Sequence, residues 1–196
     1  MKAIKTTIIF DCIGVICTKP LQSWFCANLG KWEDCKEYFY EVARRFDLAI
    51  ISEMELMDEL GKKVGRTKEE VRKEVDEYFV LNDELIEYIH ELKDRGYKLG
   101  FLSNGSHVAL ERRIFSTRPW FKPLFHSFIV SSEVGMVKPD AEIYNHALNS
   151  LGSSAHETIF IDDSEENIIG AEAVGISGIV YESVSQLKKE LKEFEI

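Results

Sequence analysis

Five short apolar stretches constrain the fold of this chain more than any other feature of its sequence. They cover residues 7–10, 98–102, 125–130, 158–161 and 177–181, and each is followed by small or polar residues and then by a helical pattern. Their apolar character is continuous instead of alternating, which is typical of parallel strands that helices cover on both faces. The sequence therefore predicts an α/β fold built on a buried parallel sheet.

Helix start and stop signals lie between these stretches. Asn82 is a suitable N-cap for a helix that ends before Gly96. Pro139 is predicted to open a second helix, which ends before Gly152, and Ser164 to begin a third. Strand and helix thus alternate from residue 83 onward, and this alternation predicts a doubly wound sheet of the Rossmann-like type.

Residues 18–81 interrupt the alternation. They contain no convincing strand, but three or four helical patterns. The simplest division of the chain is a Rossmann-like core of residues 1–17 and 82–196, with residues 18–81 inserted as a helical module. A small module needs bulky side chains for its core. We therefore expect most of its aromatic residues to be buried, namely Trp24, Phe25, Trp32, Tyr38, Phe39, Tyr40 and Phe46.

Composition and charge exclude several classes of protein. A net charge of −10 argues against general binding to nucleic acids, which requires a basic surface. No stretch approaches the ~20 apolar residues of a membrane span, and the first apolar run is too short for a signal peptide. The four cysteines, Cys12, Cys17, Cys26 and Cys35, form no metal-binding pattern and are predicted to be buried, reduced thiols. These features predict a cytoplasmic protein.

Residues that can carry chemistry follow four of the five predicted strands. Ligands of doubly wound sheets bind beyond the carboxyl ends of the strands. In chain order, the residues at these positions are Asp11, then Ser103 and Asn104, then Lys138, then Asp162 and Asp163. A carboxylate can attack phosphorus, a hydroxyl and an amide can hold phosphate oxygens, and a lysine can neutralise them. Adjacent carboxylates are suitable ligands for Mg²⁺. Together the four groups predict phosphoryl transfer.

In these motifs the chain resembles the haloacid dehalogenase superfamily, and the resemblance covers nearly its whole length. The sequence from Asp11 to Val15 is similar to the first motif of the family, in which the Asp is a nucleophile. Ser103 and Asn104 look like the second motif, Lys138 followed by Pro139 like the third, and the pair Asp162 and Asp163 like the fourth. The resemblance implies strand order 5-4-1-2-3, a helical cap over residues 18–81, and an aspartyl-phosphate formed on Asp11.

The resemblance also implies the roles of the remaining site residues. Mg²⁺ would be held by Asp11, the backbone carbonyl of Ile13, Asp162 and Asp163. Ser103, the backbone of Asn104 and Lys138 would bind the oxygens of a phosphate ester. Specificity is expected to come from residues of the cap that reach the cleft.

One position departs from the family pattern. Members of the family usually have a second Asp where this chain has Ile13, and that Asp protonates the leaving group and later activates water. The Ile13 carbonyl can still bind a metal, but acid–base help, typically worth ~10²–10⁴ in rate, is lost. His107 lies near the second motif and is a candidate replacement, because the pKa of histidine is near neutrality.

Three interpretations account for Ile13. The chain could resemble 2-haloacid dehalogenases, in which a halide leaves without a proton, although these need no metal and lack the acidic pair. It could be an impaired binding or regulatory member of the superfamily. The pattern from Gly135 to Pro139, followed by that from Asp162 to Ala171, is most similar to sugar-1-phosphate phosphatases, in which a non-acidic residue stands at this position. We favour this third interpretation, a Mg²⁺-dependent phosphatase of a small phosphomonoester such as a sugar phosphate.

Overall fold

A five-stranded parallel sheet forms the centre of the computed structural model, which describes residues 4–196. Residues 1–3, part of the predicted core segment 1–17, lie outside the described residues. The strands are β1 (Thr7–Phe10), β2 (Lys98–Ser103), β3 (Ser127–Val130), β4 (Thr158–Asp162) and β5 (Ser177–Val180). Their order is β3-β2-β1-β4-β5, which is the predicted order 5-4-1-2-3. The fold class is therefore confirmed, and the strand boundaries differ from the predicted ones by two residues at the start of β3 and by one residue at the ends of β2, β4 and β5.

Helices cover both faces of the sheet. After four helices described below, the chain forms α5 (Asp83–Asp94), the short α6 (His107–Leu110) and α7 (Ser131–Val134), α8 (Ala141–Leu151), α9 (Glu165–Ala173) and α10 (Val184–Glu193). A π-helical turn, Glu111–Phe115, follows α6. Side chains of β1 alternate between the two faces: Ile8 and Phe10 pack with α5 and α10, whereas Ile9 packs with α8 and α9. Because both faces are buried, the strand sequences are apolar throughout.

The predicted helix boundaries are correct at Asn82 and Gly152 and wrong at Pro139. Asn82 caps α5 by accepting a hydrogen bond from the backbone N–H of Leu85, and Gly152 ends α8 in the left-handed conformation. Pro139, however, follows a cis peptide bond, and Asp140 is the N-cap of α8. The loop that presents Lys138 is therefore longer than the sequence predicts.

Four helices between β1 and α5 form a unit that we call the four-helix segment (residues 20–77). They are α1 (Pro20–Asn28), α2 (Trp32–Asp47), α3 (Glu53–Val64) and α4 (Lys68–Glu77). Capping boxes at Ser52 and Thr67 fix the starts of α3 and α4. The segment has its own apolar core, which includes Trp24 and Phe25. The expectation for the aromatic residues holds in part, because Tyr40 is 59% exposed.

The chain enters and leaves the four-helix segment through adjacent peptides. The backbone N–H of Thr18 donates to the carbonyl of Val80 at 3.0 Å, and the N–H of Asn82 donates to the carbonyl of Ile16 at 2.9 Å. Entry and exit are thus joined side by side, directly beyond the loop that follows β1. Within residues 4–196, no helix has both the length and the apolar character needed to cross a membrane.

The cysteines differ from the prediction at one position. Cys12, Cys17 and Cys35 are buried, but Cys26 is exposed on α1, so the prediction of a buried thiol is wrong there. One face of α1 is exposed to solvent. The nine residues of this helix have no clear apolar periodicity, so the sequence did not indicate that Cys26 lies on the exposed face. The thiols of Cys12 and Cys17 lie 3.8 Å apart behind the loop after β1.

Candidate active site

A cleft of about 630 Å³ lies between the carboxyl ends of the strands and the four-helix segment. Its size is within the range of sites for small molecules. The sheet side contributes residues from the loops after β1, β2 and β4 and from the loop before α8, and the other wall comes from α1 and α2. Six of the predicted site residues line it, namely Asp11, Ile13, Asn104, Lys138, Asp162 and Asp163.

Three carboxylates meet at the floor of the cleft. Asp11 directly follows β1, Asp162 ends the neighbouring β4, and Asp163 is the next residue. One oxygen of each lies within 4.8 Å of the others, and Asp11 and Asp162 are buried. The pairing of β1 with β4 causes this proximity, since parallel neighbours end at the same edge of the sheet.

Lys138 bridges two of these carboxylates. Its ammonium group donates to Asp11 Oδ1 and to Asp162 Oδ2, each at 2.6 Å. Burial alone would lower the pKa of Lys138, but the two carboxylates raise it above its usual range, so the lysine is charged. Asn104 fixes the lysine: its side-chain amide donates to the carbonyl of Lys138 at 3.0 Å and accepts from its N–H at 2.9 Å.

Asp162 and Asp163 have different surroundings. Asp162 accepts hydrogen bonds from Lys138, from the side-chain amide of Asn167 and from the N–H of Ser164, so its carboxylate is saturated with donors. Asp163 forms an ion pair with Lys19, which precedes α1. Gly14 lies against this pair with φ +95°, and a Cβ atom there would overlap the carboxylate of Asp163. Only glycine fits at this position.

The donor set at the floor of the cleft suits Mg²⁺. Three carboxylates face two ammonium groups, those of Lys138 and Lys19, so negative charge remains in excess at the floor of the cleft, and burial raises the pKa of Asp11 above its usual range. A hard divalent cation with oxygen ligands removes this excess. Asp11 and Asp163 offer oxygens that a cation could share, whereas the oxygens of Asp162 are committed to other donors.

In the loop after β2, the hydroxyl of Ser103 is buried and the side-chain amide of Asn104 is already hydrogen-bonded. Ser103 is fully buried outside the lining of the cleft, and its hydroxyl donates to the carbonyl of Asn104 at 3.2 Å. Because the side chain of Asn104 is bonded to Lys138, only its backbone is open to a ligand, as the sequence interpretation requires. Contact of Ser103 with a phosphate stays a prediction.

His107 does not line the cleft. Its ring lies 3.2 Å from the ammonium group of Lys122 and within 4 Å of the carboxylates of Glu111 and Glu133, on the outer side of α6. Ile13, in contrast, does line the cleft.

Sequence reasoning missed the residues that the four-helix segment brings to the cleft. Asp47 and Lys19, the residue directly before the segment, are ionisable residues of the lining, and Leu21, Phe39 and Phe46 form much of the apolar wall. Lys19, Asp47 and Phe46 follow no strand and complete no motif. The only sequence feature that could have indicated them is their location in residues 18–81, the segment that was expected to determine substrate specificity.

Comparisons with known proteins agree with this architecture. The chain is an α/β protein whose site lies at the carboxyl ends of parallel strands. The model of the haloacid dehalogenase-like hydrolases matches residues 5–175. The chain therefore belongs to the haloacid dehalogenase-like hydrolase family.

Among solved structures, the chain is similar to a HAD-family enzyme from Bacteroides thetaiotaomicron in its magnesium complex. The TM-score is 0.75 at 22% identity, over 95% of this chain and 100% of that one. It is also similar to a HAD phosphatase from Thermococcus onnurineus, with a TM-score of 0.63 at 20% identity over 95% of this chain and 97% of that one. At these identities the likeness concerns the fold.

Curated relatives match over part of their length. A sesquiterpene phosphatase from Aspergillus oryzae is 37% identical over 91 residues, which are 46% of this chain and 45% of that protein. A glyceraldehyde 3-phosphate phosphatase from Methanothermobacter thermautotrophicus is 31% identical over 94 residues, 47% of this chain and 41% of that protein. The matched region thus spans less than half of these relatives.

Proposed function

We propose that this protein is a Mg²⁺-dependent phosphatase that hydrolyses a small phosphomonoester through an aspartyl-phosphate on Asp11. The observation that carries the proposal is the trio of Asp11, Asp162 and Asp163, with oxygens within 4.8 Å, bridged by a buried Lys138. A carboxylate beside a cation site and an ammonium group is suited to attack phosphorus, because the transferred group is anionic.

Mg²⁺ would be held by Asp11, the Ile13 carbonyl and Asp163, with Asp162 in direct or water-mediated support, and it would neutralise charge on the phosphoryl group. One oxygen of Asp11 attacks phosphorus in line with the leaving group. Lys138 holds this carboxylate in place and stabilises charge on the phosphoryl oxygens. The backbone of Asn104 and the hydroxyl of Ser103 bind the remaining oxygens, and water then cleaves the aspartyl-phosphate.

The relatives support a phosphatase more than a dehalogenase. The two relatives described above are named as phosphatases, and one structural neighbour was solved with magnesium and inorganic phosphate, although another is a dehalogenase. A 2-haloacid dehalogenase uses no metal, and without one the excess charge of three carboxylates beside two lysines would repel the carboxylate of a 2-haloacid. The presence of Asp11, Lys138 and the pair Asp162 and Asp163 likewise argues against a member that only binds.

We further propose that residues 18–81 act as a cap that closes the cleft and selects the substrate. Support comes from the paired entry and exit at Thr18 and Val80, which is suited to a hinge, and from the separate apolar core of the four-helix segment. Hydrogen exchange with and without a phosphate analogue tests this idea. Identical protection of α1 and α2 in both states would mean that the segment does not move.

Turnover of a panel of phosphomonoesters, sugar phosphates included, with Mg²⁺ or with EDTA tests the proposed function. We expect release of inorganic phosphate that requires Mg²⁺, and no release of halide from 2-chloropropionate. Beryllofluoride should inhibit, because it mimics a phosphoryl group on a carboxylate.

The two alternatives give different results in the same assay. Halide release without metal would identify a dehalogenase. Phosphate esters that bind in calorimetry without being hydrolysed would identify a binding protein, and either result would end the phosphatase proposal.

A further inference from the structure

The four-helix segment brings one more carboxylate to the cleft, and we propose that this residue, Asp47, is the general acid and base that the loop after β1 lacks. The inference rests on the proposed phosphatase function. Ile13 lines the cleft but has no proton to exchange, and His107 lies outside it. Asp47 is the last residue of α2 and lines the same cleft as Asp11 and Lys138.

Hydrogen bonds connect the backbone of Asp47 to the sheet side of the cleft. The hydroxyl of Ser131, the first residue after β3, donates to the backbone carbonyl of Asp47 at 2.7 Å. The same hydroxyl accepts the backbone N–H of Gly105 at 3.0 Å, in the loop expected to bind phosphate. Ser131 is fully buried, so this bridge is shielded from water. The position of Asp47 is therefore tied to the loop that would hold the phosphoryl group.

The carboxylate of Asp47 has no hydrogen-bond donor and no ion pair among residues 4–196. Every cation that lines the cleft is paired with another carboxylate: Lys138 with Asp11 and Asp162, Lys19 with Asp163, Arg44 with Asp140, and Arg113 with Asp76. Glu166 also lines the cleft, but it is exposed to solvent. Asp47 is thus a partly buried carboxylate of the cleft that has no protein partner and can exchange a proton with a ligand.

The surroundings of Asp47 favour its neutral form at mildly acidic and neutral pH. Burial raises the pKa of Asp47 to about 7, against an opposing effect of the charge on Lys138. A pKa near the working pH is the condition under which one group can donate a proton in one step and accept one in the next.

Asp47 donates one proton and regains one over the two steps of the reaction. As Asp11 forms its bond to phosphorus and the ester P–O bond breaks, neutral Asp47 gives its proton to the leaving oxygen, so an alcohol departs and Asp47 becomes a carboxylate. As water then attacks the aspartyl-phosphate, Asp47 takes a proton from that water. Inorganic phosphate leaves, the carboxylate of Asp11 is restored, and Asp47 is neutral again. No further reactant is needed.

Two esters of similar size distinguish this role from a purely structural one. The leaving group of 4-nitrophenyl phosphate is acidic and departs without a proton, whereas that of benzyl phosphate is an alkoxide that needs one. For Asp47→Asn we expect kcat/KM for benzyl phosphate to fall by ~10²–10⁴-fold, and that for 4-nitrophenyl phosphate by less than ~10-fold. Asp47→Glu, which keeps an ionisable group, should recover part of the loss on benzyl phosphate only.

Asp34→Asn is the matched control, because it makes the same change at the exposed start of the same helix. It should leave both esters unaffected. Asp47→Ala is measured beside Asp47→Asn, with circular dichroism for each, so that the comparison survives if one variant does not fold.

The outcomes separate this inference from the proposed function. An equal loss on the two esters, or no loss on either, in a folded Asp47 variant would overturn the role of Asp47 and leave the phosphatase proposal standing. Failure of the wild-type protein to hydrolyse any phosphate ester would overturn both.

Discussion

The two walls of the cleft hold their charged groups in different ways. On the sheet side, Lys138 is buried and bonded to two buried carboxylates, Asp11 and Asp162. On the helical side, Lys19 is 42% exposed and has one ion-pair partner, and Asp47 has none. The sheet side is thus fixed by mutual neutralisation. On the helical side, the ion pair of Lys19 with Asp163 is partly exposed, and the carboxylate of Asp47 lines the cleft without a charged partner.

The largest effect on turnover is expected when the proposed nucleophile on the sheet side, Asp11, is replaced. Asp11→Asn keeps the volume but is a poor nucleophile and metal ligand. We expect turnover to fall by at least ~10⁴-fold, since a nucleophile contributes more than an acid–base group. Phosphate release by purified, folded variant is the measurement. Turnover near the wild-type rate would place the nucleophile elsewhere.

Two lysine variants compare the stability of the two walls. Lys138→Met leaves two buried carboxylates without their cation and should lower the free energy of unfolding by ~3–5 kcal/mol. Lys19→Met removes a partly exposed pair and should cost at most ~1 kcal/mol. Urea unfolding without metal measures both. Similar costs for the two variants would show that the walls are not held differently.

Magnesium affinity should distinguish the two adjacent aspartates. Asp163→Ala removes an oxygen that is open to a cation, and we expect affinity to fall by at least ~10-fold. Asp162→Ala should have a smaller effect, because the oxygens of Asp162 are already bonded to protein donors. Calorimetry is the measurement, with Glu165→Ala on the exposed start of α9 as control. Unchanged Mg²⁺ affinity in both aspartate variants would show that Asp162 and Asp163 do not form a metal site.

A further effect is expected in the pH dependence of stability. Because the pKa of Asp47 is about 7 in the folded protein and 3.8 as its ordinary value, the folded state binds the extra proton between these limits. Stability conferred by the neutral acid is therefore present at low pH and lost as pH rises toward and through 7. Asp47→Asn, which stays neutral, should match wild type near pH 4 and exceed it at pH 8. Parallel stability curves for variant and wild type would contradict this.

Most of the sheet side could be predicted from the sequence. Asp11, Lys138 and the Asp162–Asp163 pair each follow an apolar strand, and parallel strands bring their carboxyl ends to one edge. The sequence could not show that Lys138 bridges Asp11 and Asp162, because the long loop after β3 has no periodicity that fixes its path. For the same reason the start of α8 was predicted at Pro139 instead of Ala141.

The helical side illustrates the opposite case. The pattern of residues 18–81 predicts helices, and four are present. A helical pattern indicates which residues face the module's own core, but not which remaining residues face another unit of the fold. Tyr40 is exposed, although most aromatic residues of the module were expected to be buried, and Phe39 and Phe46 line the cleft as well as packing against the module's core.

By itself the sequence determined the five strands, their order through the family resemblance, and the chemical groups at the strand ends, because local apolar periodicity and short motifs encode these features. Tertiary structure alone decided the environment of each ionisable group. Asp47 follows no strand and belongs to no motif, and its pKa rises because packing of α2 against the loop after β3 encloses its carboxylate without providing a cation. Burial and the pairing of charges depend on contacts between residues that are far apart in the chain, so only the tertiary structure determines them.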